Sequence, residues 1–311
     1  MSLATQNPHI VLFHEYERHF GWYYINTLLP DDFRISTDMN DISRAVAVVF
    51  NLPACSGDTL RLLASKGRAP PNQLWVAFSI ESEGNYPVLK MFDYSEVYRN
   101  IFSLWMTYRL DCDVPVTYLR LDAFGLLKRP VRPKPKGNLV CALVSSSSTR
   151  YNKNGRLEYI RELLNHIPVH SYGNYLNNRK IPDDRGVLSK MEIISRYKFT
   201  LAFENSNCRD YVTEKFFQPL VAGSVPVVMG APNVEEFSPA EHCYIDVSNF
   251  GSPKELADYL KWLDQDDEAY SAYLDWKEKP LRASFMDRVS RYSVEMANYY
   301  LCERIRERLD L

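Results

Sequence analysis

The sequence predicts an α/β protein in two halves, each a mainly parallel sheet flanked by helices. Three observations lead there. Short apolar, β-branched runs alternate with stretches of helical periodicity, and a proline-rich basic segment divides the chain. In the second half, the run Phe203 to Gly230, FENSNCRDYVTEKFFQPLVAGSVPVVMG, sets ionisable and hydrogen-bonding side chains between two strand-like stretches.

In the first half, His9 to His14, Ala45 to Leu52 and Gln73 to Ile80 read as strands, separated by mixed helical and loop segments. The break comes at Lys128 to Lys136, KRPVRPKPK, where prolines interrupt helix and sheet alike. It reads as a solvated hinge, so the expected domains are residues 1–134 and 135–284. Beyond it, Asn138 to Ser145, Pro168 to Tyr172, Lys198 to Phe203, Val225 to Met229 and Cys243 to Val247 read as strands alternating with helices such as Arg156 to His166 and Pro253 to Asp264. Ala269 to Trp276 and Phe285 to Leu309 read as further helices. The last, residues 285–311, is expected to pack back on the body. Its Glu295, Glu303 and Glu307 offset its arginines, which limits membrane contact to a peripheral one.

Composition bounds the function. At 311 residues and 46% hydrophobic, the chain is long enough for two cores, and a net charge of −2 gives no footprint for a nucleic-acid partner. Cys55, Cys112, Cys141, Cys208, Cys243 and Cys302 lack the spacing of a zinc site or a disulfide framework. No run of about 18 apolar residues occurs, and no basic segment with a hydrophobic core opens the chain. The chain as given therefore reads as soluble.

Within the central run, Lys198 to Phe203 ends in Glu204 and Asn205. Val212, Phe216, Phe217, Leu220 and Val221 then form a helical stripe leading to the next strand, VPVVMG. In such a βαβ unit ligands bind beyond the carboxyl ends of the strands, where Glu204, Asn205, Tyr211, Thr213, Glu214 and Lys215 all fall. Thr213 is positioned to cap the helix, leaving its positive end free for a phosphate, and Lys215 adds a full charge there.

The segment resembles the donor-binding motif of the α1,3-fucosyltransferases, glycosyltransferase family 10, whose members carry FENS…DY(V/I)TEK, a VPVV strand and a Gly-Ala-Pro or Gly-Pro turn. All of these are present here, through Gly230, Ala231 and Pro232. The continuation PNVEEFSP is most similar to the plant-type core enzymes that modify N-glycans. The resemblance implies a GT-B fold, two Rossmann-like domains facing a cleft, and an enzyme that uses GDP-fucose as donor. It implies a glycan or glycoconjugate acceptor, with a GlcNAc hydroxyl first and a protein hydroxyl or bacterial polysaccharide as the alternative. A glycan-binding relative without activity is the non-enzymatic alternative. Eukaryotic relatives are membrane-anchored in the secretory pathway, so the expected location is cytoplasmic for a full-length bacterial protein and the Golgi lumen for a trimmed eukaryotic one.

The same resemblance assigns roles. Glu81, after the strand Leu74 to Ile80, matches the family's proposed catalytic base, with Glu83 as internal competitor. Inversion at the anomeric carbon needs one displacement and one carboxylate to take the acceptor proton. Arg156, after the serine-rich loop VSSSSTRYNKNG, matches the arginine that meets the diphosphate beside Lys215, with Arg150 as rival. Glu204, Asn205, Tyr211, Thr213 and Glu214 complete the donor set. Glu214 serves either ribose hydroxyls or the positive charge of the sugar ring. An Arg next to a Lys can stand where other nucleotide-sugar enzymes use a metal, so no metal or other cofactor is expected. Asp111-Cys112-Asp113 has metal-site spacing but lies in the wrong half. Tyr108, Arg109, Asp111 and Asp113 either position the acceptor or form a structural ion pair.

Overall fold

A computed structural model describes residues 8–14, 28–94, 100–146, 148 and 151–311. The chain forms two units, residues 1–120 with 290–311, and residues 121–289.

The first unit holds a six-stranded sheet of β1 (His9–Phe13), β2 (Phe33–Ser36), β3 (Ala47–Asn51), β4 (Leu74–Ser79), β5 (Leu104–Thr107) and β6 (Val114–Pro115), in the order β2-β1-β3-β4-β5-β6 with every pair parallel. Helix α1 (Gly57–Lys66) lies between β3 and β4, and α2 (Pro87–Tyr94) between β4 and β5. Alternation sorts the side chains onto two faces. Val11, Phe13, Val49, Val76 and Phe78 fill one core, and Ile10, Leu12, Val48, Phe50 and Ala77 fill the other. Strands β2, β5 and β6 were not among the sequence expectations. Each has four residues or fewer, too few for periodicity to stand out, and β6 places Pro115 on an edge strand, where a missing N–H is tolerated.

The second unit holds α3 (Ala123–Leu127) and a five-stranded parallel sheet, β7 (Val140–Ala142), β8 (Val169–Ser171), β9 (Phe199–Phe203), β10 (Val225–Met229) and β11 (Ile245–Asp246). Its helices are α4 (Arg156–Leu163), α5 (Val187–Ser195), α6 (Glu214–Ala222), α7 (Pro253–Gln265) and α8 (Asp267–Ala272). The order β11-β10-β9-β7-β8 means that the chain leaves β7 toward β8 and returns to β9 on β7's other side. The carboxyl ends of β7 and β9 therefore flank a topological switch point, where open α/β sheets bind ligands.

Two expectations are corrected. The units part at Arg120, not at residue 134, because the proline-rich run is bound into the second unit. Lys128 Nζ donates to the Trp276 and Lys277 carbonyls at 3.1 and 2.9 Å, and Lys134 Nζ to the Ser195 carbonyl at 2.8 Å. The run is a strap, not a solvated hinge. The terminal helix is broken into α9 (Ala283–Tyr292) and α10 (Ala297–Leu309), because Ser293, fully buried, is extended. Val294, Ala297, Leu301, Cys302 and Ile305 close one core of the first sheet, so the end of the chain does pack back, onto the first unit. Among the described residues no helix is long and apolar enough to cross a membrane.

Candidate active site

The carboxyl end of β9 is built around a buried carboxylate. The Glu204 N–H donates to the Met229 carbonyl at 2.7 Å, which extends the β9–β10 ladder by one residue and turns the side chain inward, leaving it 3% exposed. Gly230 makes room for it, since a Cβ there would stand 2.9 Å from Glu204 Cγ. Glu204 Oε1 accepts from the Thr213 N–H at 2.9 Å and from its hydroxyl at 2.6 Å.

Thr213 is completely buried and caps α6, as the sequence predicts: its Oγ1 accepts from the Lys215 N–H at 3.3 Å and from Lys215 Nζ at 3.0 Å. Lys215 Nζ also stands 3.1 Å from Glu204 Oε2, an ion pair outside hydrogen-bond alignment, and 3.4 Å from Glu214 Oε1. Burial alone would lower the Lys215 pKa, but Glu204 and Glu214 outweigh it and raise it. Burial works against the Glu214 carboxylate too, yet Lys215 and Lys190 together hold its pKa below the ordinary value.

Arg156 opens α4 after Gly155, whose φ of 73° suits glycine. Its guanidinium is buried under the β9 edge, where Nη1 donates to the Phe203 carbonyl at 2.8 Å and Nε has no hydrogen-bond partner among the described residues. Burial lowers its pKa, while Glu204 and Tyr211 act in the opposite direction. The loop before α4 grips the turn after β9. Asn154 Nδ2 donates to the Glu204 carbonyl at 3.0 Å and to Asn207 Oδ1 at 2.7 Å, and the Lys153 N–H reaches the Asn205 carbonyl at 3.3 Å.

Asn205 keeps a buried Oδ1 that has no hydrogen-bond partner among the described residues. Tyr211 is buried, and the turn beneath it is pinned by a reciprocal pair: the Asp210 N–H donates to Asn233 Oδ1 at 2.9 Å, and Asn233 Nδ2 to Asp210 Oδ1 at 2.8 Å. Arg150 lies outside the described residues. Lys190, Asn154 and Asn233 were missed in the sequence. Lys190 precedes the buried Ile193 and Ile194 by three and four residues, and a lysine on an apolar stripe was the signal that could have found it.

Glu81 stands in the first unit, just past β4. Its N–H donates to Ser79 Oγ at 3.0 Å, and the Ser79 hydroxyl donates back to the Glu81 carbonyl at 3.0 Å. The Tyr118 hydroxyl holds the neighbouring Ile80 carbonyl at 3.1 Å. Glu81 lines a depression of about 660 Å³ with Glu83, Tyr108, Arg109 and, from α10, Arg304 and Arg308. Glu83 is engaged, receiving the Tyr108 hydroxyl and standing 3.6 Å from Arg109. Arg109 also grips Asp111 with two bonds, at 2.9 and 2.7 Å, and hydrogen bonding to Asp111 raises its pKa. Asp113 accepts from the Trp105 N–H at 2.8 Å. The two aspartates flanking Cys112 are thus tied to different partners. Among the described residues no group of three or more His, Cys, Asp or Glu side chains is gathered as a metal site.

Two parallel α/β units, one with a capped helix, a buried arginine and a half-buried lysine at its switch point, make up the architecture of the GT-B fold. The family model for the C-terminal part of glycosyltransferase family 10, the fucosyltransferases, matches residues 133–310, and the fucosyltransferase N-terminal model matches residues 6–119. The chain belongs to glycosyltransferase family 10. It is 37% identical over 241 residues to a fucosyltransferase-like protein of Arabidopsis thaliana, covering 76% of this chain and 45% of that one. It is 38% identical over 218 residues to GDP-fucose protein O-fucosyltransferase 3 of Gallus gallus, covering 66% and 45%. The chain thus spans less than half the length of these relatives. Crystal structures of an α1,3-fucosyltransferase share the fold. One matches with TM-score 0.64 and 18% identity, and one with GDP-fucose matches with TM-score 0.55 and 16% identity; each covers 98% of this chain and 92% of the other.

Proposed function

We propose that the protein is an inverting, metal-independent transferase that moves L-fucose from GDP-fucose to a hydroxyl group, and that this hydroxyl belongs to a protein. The observation that carries the donor reading is the Arg156–Glu204–Lys215 network beneath a capped helix at the switch point, in a chain of a fucosyltransferase family. Arg156 and Lys215 stabilise the negative charge that grows on the departing diphosphate, while Glu204 and Thr213 fix Lys215 in place. Asn205, Tyr211 and Glu214 line the ribose or fucosyl region. The acceptor oxygen bonds to the anomeric carbon as the bond to the phosphate oxygen breaks. Glu81 takes the acceptor proton and GDP leaves.

A protein acceptor is favoured over a GlcNAc hydroxyl by the relatives named as protein O-fucosyltransferases, at 38% identity for the chicken protein against 18% for the α1,3-fucosyltransferase structure. The glycan reading keeps support from the motif resemblance. Labelled GDP-fucose offered with folded polypeptide acceptors, with N-glycans and with no acceptor, in EDTA, tests both. Transfer to serine or threonine in the presence of EDTA is the expected result. Label on GlcNAc alone would overturn the acceptor reading, and activity abolished by EDTA and restored by Mn²⁺ would overturn metal independence.

A further inference from the structure

We infer that Lys190 is a positioning residue of the donor site, acting through Glu214; this rests on the proposed use of GDP-fucose. Lys190 comes from a different element than the donor motif, helix α5, and sits half-buried with its Nζ 3.7 Å from Glu214 Oε1. The same oxygen lies 3.4 Å from Lys215 Nζ, so a single carboxylate oxygen bridges two ammonium groups. A lysine on a buried helix stripe is costly to keep charged, and burial does pull its pKa below the ordinary lysine value. Lysine at such a position is explained by the carboxylate that it faces.

Charge balance gives the arrangement its use. Arg156, Lys190 and Lys215 face Glu204 and Glu214, which leaves one positive charge in excess. Without Lys190 the cluster is neutral, and a diphosphate that brings at least two negative charges meets no net attraction from it. Lys190 also secures Glu214 when a ligand draws Lys215 away. As Lys215 turns toward a phosphate, Glu214 loses its nearer partner. Lys190 keeps the carboxylate ionised and in place, ready to accept hydrogen bonds from sugar hydroxyls.

The test uses Lys190→Met, which keeps the apolar stem on the stripe, beside Lys190→Arg and Glu214→Gln, with GDP affinity by calorimetry and transfer kinetics by GDP release. Lys190→Met is expected to raise Kd for GDP and KM for GDP-fucose about tenfold, with kcat changed less and folding intact. Lys190→Arg is expected to restore most of the loss. The double variant Lys190→Met/Glu214→Gln should lose less than the sum of the two single losses, since part of the effect of Lys190 runs through that carboxylate. Wild-type GDP affinity and KM in Lys190→Met, or strict additivity in the double variant, overturns the role of Lys190 and leaves the function standing. A wild-type protein that binds no GDP overturns the functional reading itself, and this inference with it.

Discussion

The β9 edge and the depression around Glu81 are built on opposite plans. At β9 the charge is rooted in the core: Glu204 and Arg156 are 3% and 4% exposed beside the fully buried Thr213, and Lys215 and Glu214 stand half-buried above them and pair within the unit. Around Glu81 the ion pairs are wet, with Arg109 and Asp111 side chains 34% and 68% exposed and Arg304 with Glu307 at 49% and 60%. The first plan suits a ligand that never changes, because pre-set charges need no reorganisation. The second suits a partner whose surface varies, since half-solvated side chains can re-pair at little cost. That is the difference expected if, as proposed, the β9 edge takes the donor and the depression takes the acceptor.

The largest test of that contrast is the base. Glu81→Gln should lower kcat by about 10²–10⁴-fold with GDP affinity retained, whereas Glu83→Gln, whose carboxylate is already engaged by Tyr108 and Arg109, should cost far less. Turnover by Glu81→Gln at the wild-type rate would end the assignment. If Glu83→Gln were the inactive variant, the two carboxylates would exchange roles.

Packing separates the two regions next. Gly230→Ala drives a Cβ to within 2.9 Å of Glu204 Cγ, at a place where the carboxylate cannot retreat without losing Thr213 and Lys215. It should destabilise the protein by about 1–3 kcal/mol and weaken GDP binding as well. Arg304→Ala, which loses an exposed pair with Glu307 and an exposed bond to the Asp113 carbonyl, should change stability by less than about 1 kcal/mol. Denaturant unfolding of both variants measures the ratio, and equal losses would erase the contrast.

The two plans also explain what could be read from the sequence. The β9 edge is mostly local. Strand, turn, capping Thr213 and helix follow one another within a single βαβ unit, so patterning and turn chemistry expose them. What escaped came from elsewhere in the chain: Asn154 from the loop before α4, Asn233 from beyond β10, and Lys190 from α5. The Glu81 depression joins segments nearly 200 residues apart, with Arg304 donating to the Asp113 carbonyl at 3.3 Å, and no local signal announces that meeting. The strap at Lys128 to Lys136 was misread for the same reason: its prolines are visible in the sequence, but the carbonyls that hold its lysines are not.

A pH-dependent effect asks whether the second unit's tolerance of buried charge extends beyond its site. Lys277 is 4% exposed, donates to the Leu127 carbonyl at 2.7 Å and lies 4.9 Å over the Trp276 ring, and burial together with Lys128 lowers its pKa to about 8. In the unfolded chain a lysine titrates near about 10.4. Between those values the unfolded state binds the extra proton, so raising the pH favours the folded state. Below about pH 8 the penalty of the buried charge is fully present, and it is lifted as pH climbs toward the unfolded value. Relative to Lys277→Met, wild-type unfolding free energy should therefore gain about 1–2 kcal/mol between pH 7.5 and 10, after discount for solvent relaxation around the ammonium. Urea unfolding of both proteins across that range measures it. A flat or falling difference would mean that the Leu127 carbonyl and the Trp276 ring already compensate the charge, and that buried cations in this unit carry their cost only at the β9 edge.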